Sequence, residues 1–450
     1  MNALRQLPSV NALLDASFGR TLIERHGRAL VLFAVKTVLE EERQTGAVHD
    51  DPERWRRVDD AIRRLREPRL QPCINATGVI LHTNLGRAPL ADAAAAAAAA
   101  VARGYSTLEV DLGSGKRGLR HDLVSGMLSH LTGAEAAAVV NNCAAATLLM
   151  LSALARGKEV LVSRGELVEI GGAFRMPEIM RLSGARMVEV GTTNRTRVED
   201  YAQAITTRTA AILKVHASNF QVVGFTESAD LGSLAALARD RDLLLLHDLG
   251  SGALLKTSAY GLAGEPRIQD SIAAGVHLVV CSADKMLGGP QAGLLLGRAA
   301  LVARTLKHPL ARAVRIDKMT LAALAATLDL YLTGAATTLP IWEMIAATPS
   351  ALAGRSATWQ RRLEARGVKC ELKPGESTVG GGSLPGERLP TTLLALAAPG
   401  ARAGRLLERL RGHRPPVIAR IDAGRVVLDP RTVLPDQDDE VVEAVLAAVS

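Results

Sequence analysis

A chain of 450 residues has room for about two or three domains, and with 48% hydrophobic but only 3% aromatic residues its core must be aliphatic. A formal charge of +8 favours acidic partners such as phosphates or nucleic acid and is silent on fold. Cys73, Cys143, Cys281 and Cys370 form no C-x-x-C pair, which argues against a zinc site or disulfide framework, so no metal is expected and a reducing cytoplasm is the natural setting.

Residues 1–70 read as a helical N-terminal domain. Leu22, Ile23, Leu30, Leu32, Phe33 and Val38 recur at helical spacing, and a second helix runs through "DPERWRRVDDAIRRLRE" before Pro68 and Pro72. The arginines of that helix alternate with Glu53, Asp59, Asp60 and Glu67, the pattern of a solvated face. The opening residues lack the basic start and apolar core of a signal peptide, and the alanine run 93–100 is too short to span a bilayer, so no membrane association is expected.

Residues 71–315 change texture. "AAAVV" (136–140), "EVLVS" (159–163), "RMVEV" (186–190), "AAILKVH" (210–216), "LLLLH" (243–247) and "HLVVC" (277–281) are strands by composition, and helical stretches lie between them. Continuous apolar strands alternating with helices predict an α/β domain with a mostly parallel sheet covered on both faces. A further run, Gly293 to Gly297, turns back after Pro290. Residues 316–450 open on the helical "LAALAATLDLYLTG", carry a glycine-rich loop at 377–390 and end in "VIARI", "RVVLD" and a helix, which predicts a small α+β C-terminal domain.

In a parallel α/β sheet ligands sit beyond the carboxyl ends of the strands, and three features fall there. Lys285 follows "HLVVCSAD", where a lysine can bind an aldehyde carbon, and Ser282 can donate to a phosphate. Taken alone it is also a loop lysine. The S-x-x-K spacing occurs in penicillin-binding hydrolases too, but the S-D-N and K-T-G partners those need are absent from the chain. Asp248 ends another buried strand, where a carboxylate needs a partner such as a pyridinium nitrogen, or else caps a turn. Asn142 and Cys143 join "AAAVV" to a helix whose N-terminus suits a phosphate, or is a plain cap. The three together, in this order, point to pyridoxal 5'-phosphate (PLP).

The stretches "INATGVILHTNLGRAPL", "YSTLEVDLGSGKRGLRH", "SRGELVEIGGAFRMPEIM", "KVHASNFQVVGFT", "HDLGSG", "SADKMLGGPQAG" and "GGGSLPGERLP", with "LPSVNALL" near the start, resemble the bacterial selenocysteine synthase family over nearly the whole chain. The resemblance implies a fold-type I, aspartate aminotransferase-like PLP-dependent transferase. Its implied reaction converts L-seryl-tRNA(Sec) to L-selenocysteinyl-tRNA(Sec) with selenophosphate, through a dehydroalanyl stage. It assigns Lys285 as the lysine that carries the cofactor and Asp248 as the partner of the ring nitrogen. Residues 1–70 would grip the tRNA, and the assembly would be a homodecamer built from dimers, cytoplasmic, with no affinity for DNA or membranes. Candidates for the selenophosphate oxygens are Arg87, Arg117, Arg120, Arg312 and Arg315, since a guanidinium binds two oxygens at once. Arg312 and Arg315, three apart, would share a face if that stretch is helical. Asp284 would assist the leaving hydroxyl or orient Lys285, and His216 and His82 would border the cofactor. The nearest rival is a PLP-dependent lyase acting on a small amino acid or amino-sugar acid phosphate, which would not need residues 1–70. A non-catalytic RNA-binding protein on the same scaffold would not have retained Lys285, Asp248 and the glycine turn together.

Overall fold

The aliphatic runs expected as strands assemble into one seven-stranded sheet. In spatial order it comprises Ala136–Val140, Gly293–Gly297, Leu278–Ser282, Leu244–Gly250, Thr209–Val215, Glu159–Ser163 and Arg186–Val190. Every neighbouring pair is parallel except those made by Gly293–Gly297, which runs antiparallel to both of its partners. Both faces are covered. Along Leu278–Ser282, Val279 and Cys281 enter one apolar cluster while Leu278 and Val280 enter the other, which is why the strand reads as an unbroken apolar run. The computed structural model describes residues 7–172, 174–397 and 401–450; Ala173, inside the stretch "SRGELVEIGGAFRMPEIM", lies outside them, as do residues 1–6 of the expected N-terminal domain.

The chain divides after Pro72 into two units. The first holds the helices Val10–Asp15, Ser17–His26, Arg28–Thr45 and Asp51–Arg66. The apolar run expected as one helix is interrupted at Gly27, whose φ of 82° ends one helix and starts the next. Leu22, Val31, Val35, Val38, Trp55, Val58 and Ile62 form its core. Phe33, counted with the apolar periodicity, is instead 54% exposed. Arg54 is buried against Glu42 at 3.2 Å, whereas Arg56 and Arg63 pair with acids of their own helix, as the alternating charges predict.

Within residues 73–450 the layers do not follow chain order. The second sheet runs Arg420–Asp422, Arg425–Leu428, Arg388–Leu396, Cys370–Gly380 and Val79–Leu81, so a strand from the start of the 71–315 segment completes the C-terminal sheet. Conversely, the helix Lys318–Leu332, expected with the small domain, places Leu321, Leu324 and Leu328 in the core of the large sheet. The glycine-rich loop also shortens, because its two ends are absorbed into the strands Cys370–Gly380 and Arg388–Leu396.

Arg431 joins several of these elements. It is 3% exposed and donates to Ser377 Oγ (3.0 Å) and to the carbonyls of Met344 (2.7 Å), Ala347 (3.1 Å) and Pro390 (2.6 Å). Ser377 and Thr391 in turn donate to the fully buried Asp429. Arg431→Met strands these acceptors and a buried carboxylate, and a loss of about 3–5 kcal/mol is expected. Thermal and urea unfolding of the variant will show it as a lowered midpoint.

Candidate active site

A cavity of about 230 Å³ opens where the strands bearing Lys285 and Asp248 end, lined among others by Arg87, Asn142, Cys143, Asp248, Asp284 and Lys285. Lys285 is 4% exposed, and its amine makes no ion pair with any described residue. Its neighbour Asp284 is also buried. One carboxylate oxygen, Oδ2, accepts from Arg87 Nη1 at 2.7 Å, and the other, Oδ1, is buried with no partner among the described residues. Arg87 reaches this position from a left-handed backbone, φ 65°, which is uncommon for a side chain of its size.

Asp248 is 7% exposed and its hydrogen-bond partners are neutral, with Thr147 Oγ1 donating to Oδ2 at 2.8 Å and Cys143 Sγ lying 3.8 Å from Oδ1. Burial raises its pKa; the Thr147 bond and the nearby Lys285 charge pull it back without cancelling that effect. Burial likewise pushes the Cys143 thiol well up, which makes it a poor nucleophile.

Asn142 caps the helix Cys143–Leu154, its Oδ1 accepting from the Ala145 amide at 2.8 Å. The side chain is therefore occupied, and the first two amides of the helix, those of Cys143 and Ala144, are left for a ligand. The antiparallel strand passes very close here. A Cβ at Gly293 would stand 2.0 Å from the Asn142 carbonyl oxygen, so any larger residue would push the Asn142–Cys143 loop aside. Ser282, buried, completes this side.

These residues fit PLP. A helix N-terminus offers unpaired amides to a phosphate, a buried carboxylate lacks the cation that a protonated ring nitrogen would supply, and a buried amine stands free to bind an aldehyde carbon.

Other predicted residues fall elsewhere. His216 does not line this cavity. Its Nε2 lies 3.1 Å from Glu265 Oε1, and its ring borders a separate hollow of about 520 Å³ beside Lys214 and His247. His82 has a buried Nδ1 without a partner among the described residues, and burial lowers its pKa. Of the five arginines, Arg87 lines the cavity. Arg117 and Arg120 both bind Glu109, at 2.8 and 2.7 Å, and Arg315 pairs with the same carboxylate. The shared helix face for Arg312 and Arg315 does not form. The helix Leu310–Ala313 stops short of Arg315, which bridges to Val140 instead, and Arg312 is exposed with no ion pair to a described residue. Sequence reasoning missed Thr147, Gln291, Glu109 and Ser218, whose buried Oγ also has no partner among the described residues. Of these, Thr147 had a readable signal, one helical turn beyond Cys143 and so on the face that looks at Asp248.

A doubly covered, mostly parallel sheet with a lysine and an aspartate at adjacent strand ends, facing a helix N-terminus, defines a fold-type I PLP-dependent transferase. The chain superposes on D-glucosaminate-6-phosphate ammonia-lyase with a TM-score of 0.60 at 22% identity, over 85% of this chain and 97% of that one, a likeness of fold. The family model for L-seryl-tRNA selenium transferase matches residues 73–434, and that for the selenocysteine synthase N terminus matches residues 4–43. L-seryl-tRNA(Sec) selenium transferase of Geobacter sulfurreducens is 46% identical, covering 99% of both chains, and that of Hyphomonas neptunium is 45% identical over 98% of both. The chain belongs to the L-seryl-tRNA selenium transferase family.

Proposed function

We propose that this protein converts L-seryl-tRNA(Sec) to L-selenocysteinyl-tRNA(Sec), taking selenium from selenophosphate. The observation that carries this reading is the buried set Lys285, Asp248 and Asp284, the last paired with the half-buried Arg87, at the strand ends of a chain that aligns end to end with relatives of that name. PLP, when bound, supplies an electron sink for negative charge at the serine α-carbon. Lys285 would hold the cofactor through Nζ, and the same amine, once released by the serine amine, would take the α-proton. Asp248 keeps the ring nitrogen protonated. The free Oδ1 of Asp284, with Oδ2 fixed by Arg87, holds the β-hydroxyl, and the proton on Lys285 is available for it to leave as water. A dehydroalanyl residue remains on the tRNA. Selenium adds at its β-carbon, a proton returns to the α-carbon, and water cleaves the Se–P bond to release phosphate. Arg87, Arg312 and Arg315 are the cations proposed for the phosphate oxygens.

The N-terminal unit is proposed to hold the tRNA. Within it Phe33, Leu65, Arg64 and Arg69 border a groove of about 550 Å³ that also holds Glu41, Glu53 and Asp60; Arg64 and Arg69, which make no ion pair with a described residue, are the cations proposed for the ribose–phosphate backbone. The working form is proposed to be a cytoplasmic homo-oligomer, a decamer of five dimers. The fully exposed Tyr105, with Leu112 and Leu119 on the same segment, supports burial against another copy. No helix among the described residues is long and apolar enough to cross a membrane.

The test is product formation from serine-charged tRNA(Sec) with selenophosphate, run beside serine-charged tRNA(Ser). Conversion of the first alone is expected. Failure of both with an intact cofactor spectrum would favour a lyase of small phosphorylated amino acids.

A further inference from the structure

The glycine-rich segment between Cys370–Gly380 and Arg388–Leu396 lies against the catalytic amine. Gly382 sits at φ 91°, and a Cβ there would be 2.6 Å from Lys285 Nζ and 2.8 Å from its Cε. Two residues on, Leu384 is 4% exposed and held at φ 48°, a left-handed conformation that costs energy for a leucine. Its side chain packs in the cluster that contains Ile80, Met286 and Val379. Its amide donates to Glu265 Oε2 at 3.3 Å.

Glu265 comes from a different part of the chain and is almost wholly buried. Its own amide donates to Thr257 Oγ1 at 2.9 Å, which fixes the turn that carries it. Its second oxygen, Oε1, meets His216 Nε2 at 3.1 Å, and the His216 amide donates to the carbonyl of Asp248 at 2.9 Å. Burial alone would raise the pKa of this carboxyl. The bond to His216, the charge of that ring and the Leu384 amide outweigh it, and the net direction is down, so the group holds its partners as a carboxylate.

We propose that Glu265 is a positioning residue for Lys285, latching the glycine-rich segment over the amine through the Leu384 amide and tying that latch, through His216, to the strand that ends in Asp248. The inference rests on the reading of Lys285 as the group that takes the α-proton. A lysine freed from the cofactor has four rotatable carbons and many positions open to it. The backbone of Gly382 takes away the volume on one side and keeps Nζ where it can reach the α-carbon. Releasing the latch leaves the cofactor's anchors at Asp248 and the helix N-terminus in place, and spoils the aim of the base.

The experiment compares full-length wild type, Glu265→Ala and Glu265→Gln. Amide hydrogen exchange of Leu384 is read in the cofactor-free protein. Loss of label from α-deuterated seryl-tRNA(Sec) is read at saturating PLP. Glutamine keeps an acceptor for the amide. Alanine is expected to lower Leu384 protection and the rate of α-deuterium loss each by about tenfold, with PLP affinity little changed, and glutamine to restore most of both. Unchanged protection in the alanine variant sinks the proposal, as does lost protection with an unchanged rate. If Glu265→Ala does not fold, Glu265→Asp, one carbon shorter, carries the same expectations. Wild-type enzyme that binds PLP but releases no α-deuterium would overturn the role of Lys285 itself, and this proposal with it, whatever the exchange data show.

Discussion

Lys285→Ala is expected to abolish the visible absorption of lysine-bound PLP and to stop turnover. Two losses combine. The covalent anchor goes, and so does the base for the α-proton, a role worth about 10²–10⁴-fold by itself. The fold should survive, because the side chain ends in a cavity and carries no ion pair with a described residue. Borohydride reduction followed by peptide mapping checks the assignment, with wild type labelled at Lys285 and the variant unlabelled. Label appearing on another lysine would refute it. Lys214 is the natural suspect, being largely buried, though its amine is already held by Glu166 at 2.5 Å and by Ser228 and the Ala229 carbonyl.

Asp248→Asn separates function from stability. With PLP bound, the asparagine keeps the shape and the Thr147 contact but cannot hold a proton on the ring nitrogen. Losing a hydrogen bond to a charged partner costs about 1.5–3 kcal/mol, so α-deuterium loss should slow by roughly ten- to a hundredfold or more. Without PLP the effect reverses. The folded pKa of Asp248 is raised by burial, so its proton leaves the unfolded chain at lower pH than the folded one. The wild-type apoprotein therefore loses stability as pH climbs from the ordinary carboxylate range through the folded pKa, while below that range the group is protonated in both states and contributes no difference. Asparagine has no such dependence. The apo variant is expected to melt at or above the wild type near neutral pH, with the gap closing as pH falls. A gap that widens in acid would mean that Asp248 is not a buried, uncompensated carboxylate.

The core of the large sheet was legible because its strands are buried on both faces. Apolar runs such as Ala136–Val140 and Glu159–Ser163 have the limits that composition predicts, and the turn at Pro290 gave away the reversed direction of Gly293–Gly297. That Lys285, Asp248 and the Asn142–Cys143 loop line one cavity was legible for a related reason, since polar residues directly after buried strands gather at the carboxyl edge of the sheet. The arginines were less readable. Glu109 gathers three of them, and nothing local marks it out from the other acids of the chain. Phe33 obeys helical spacing and is still exposed, because spacing defines a stripe but not how wide a stripe the neighbouring helices cover.

The sequence by itself determined the class of fold, the cofactor chemistry and the residues at the strand ends, because each is written within a few neighbouring positions. Tertiary structure alone decided which strand completes the C-terminal sheet, which arginine meets Asp284, and that a glycine-rich loop covers the lysine. Those contacts join residues 97 to 299 positions apart, Gly382 with Lys285, Arg87 with Asp284 and Val79 with Thr378. Side chains that far apart along the chain meet only after the layers have packed, so the geometry of the packed layers, and no local pattern of residues, selects their partners.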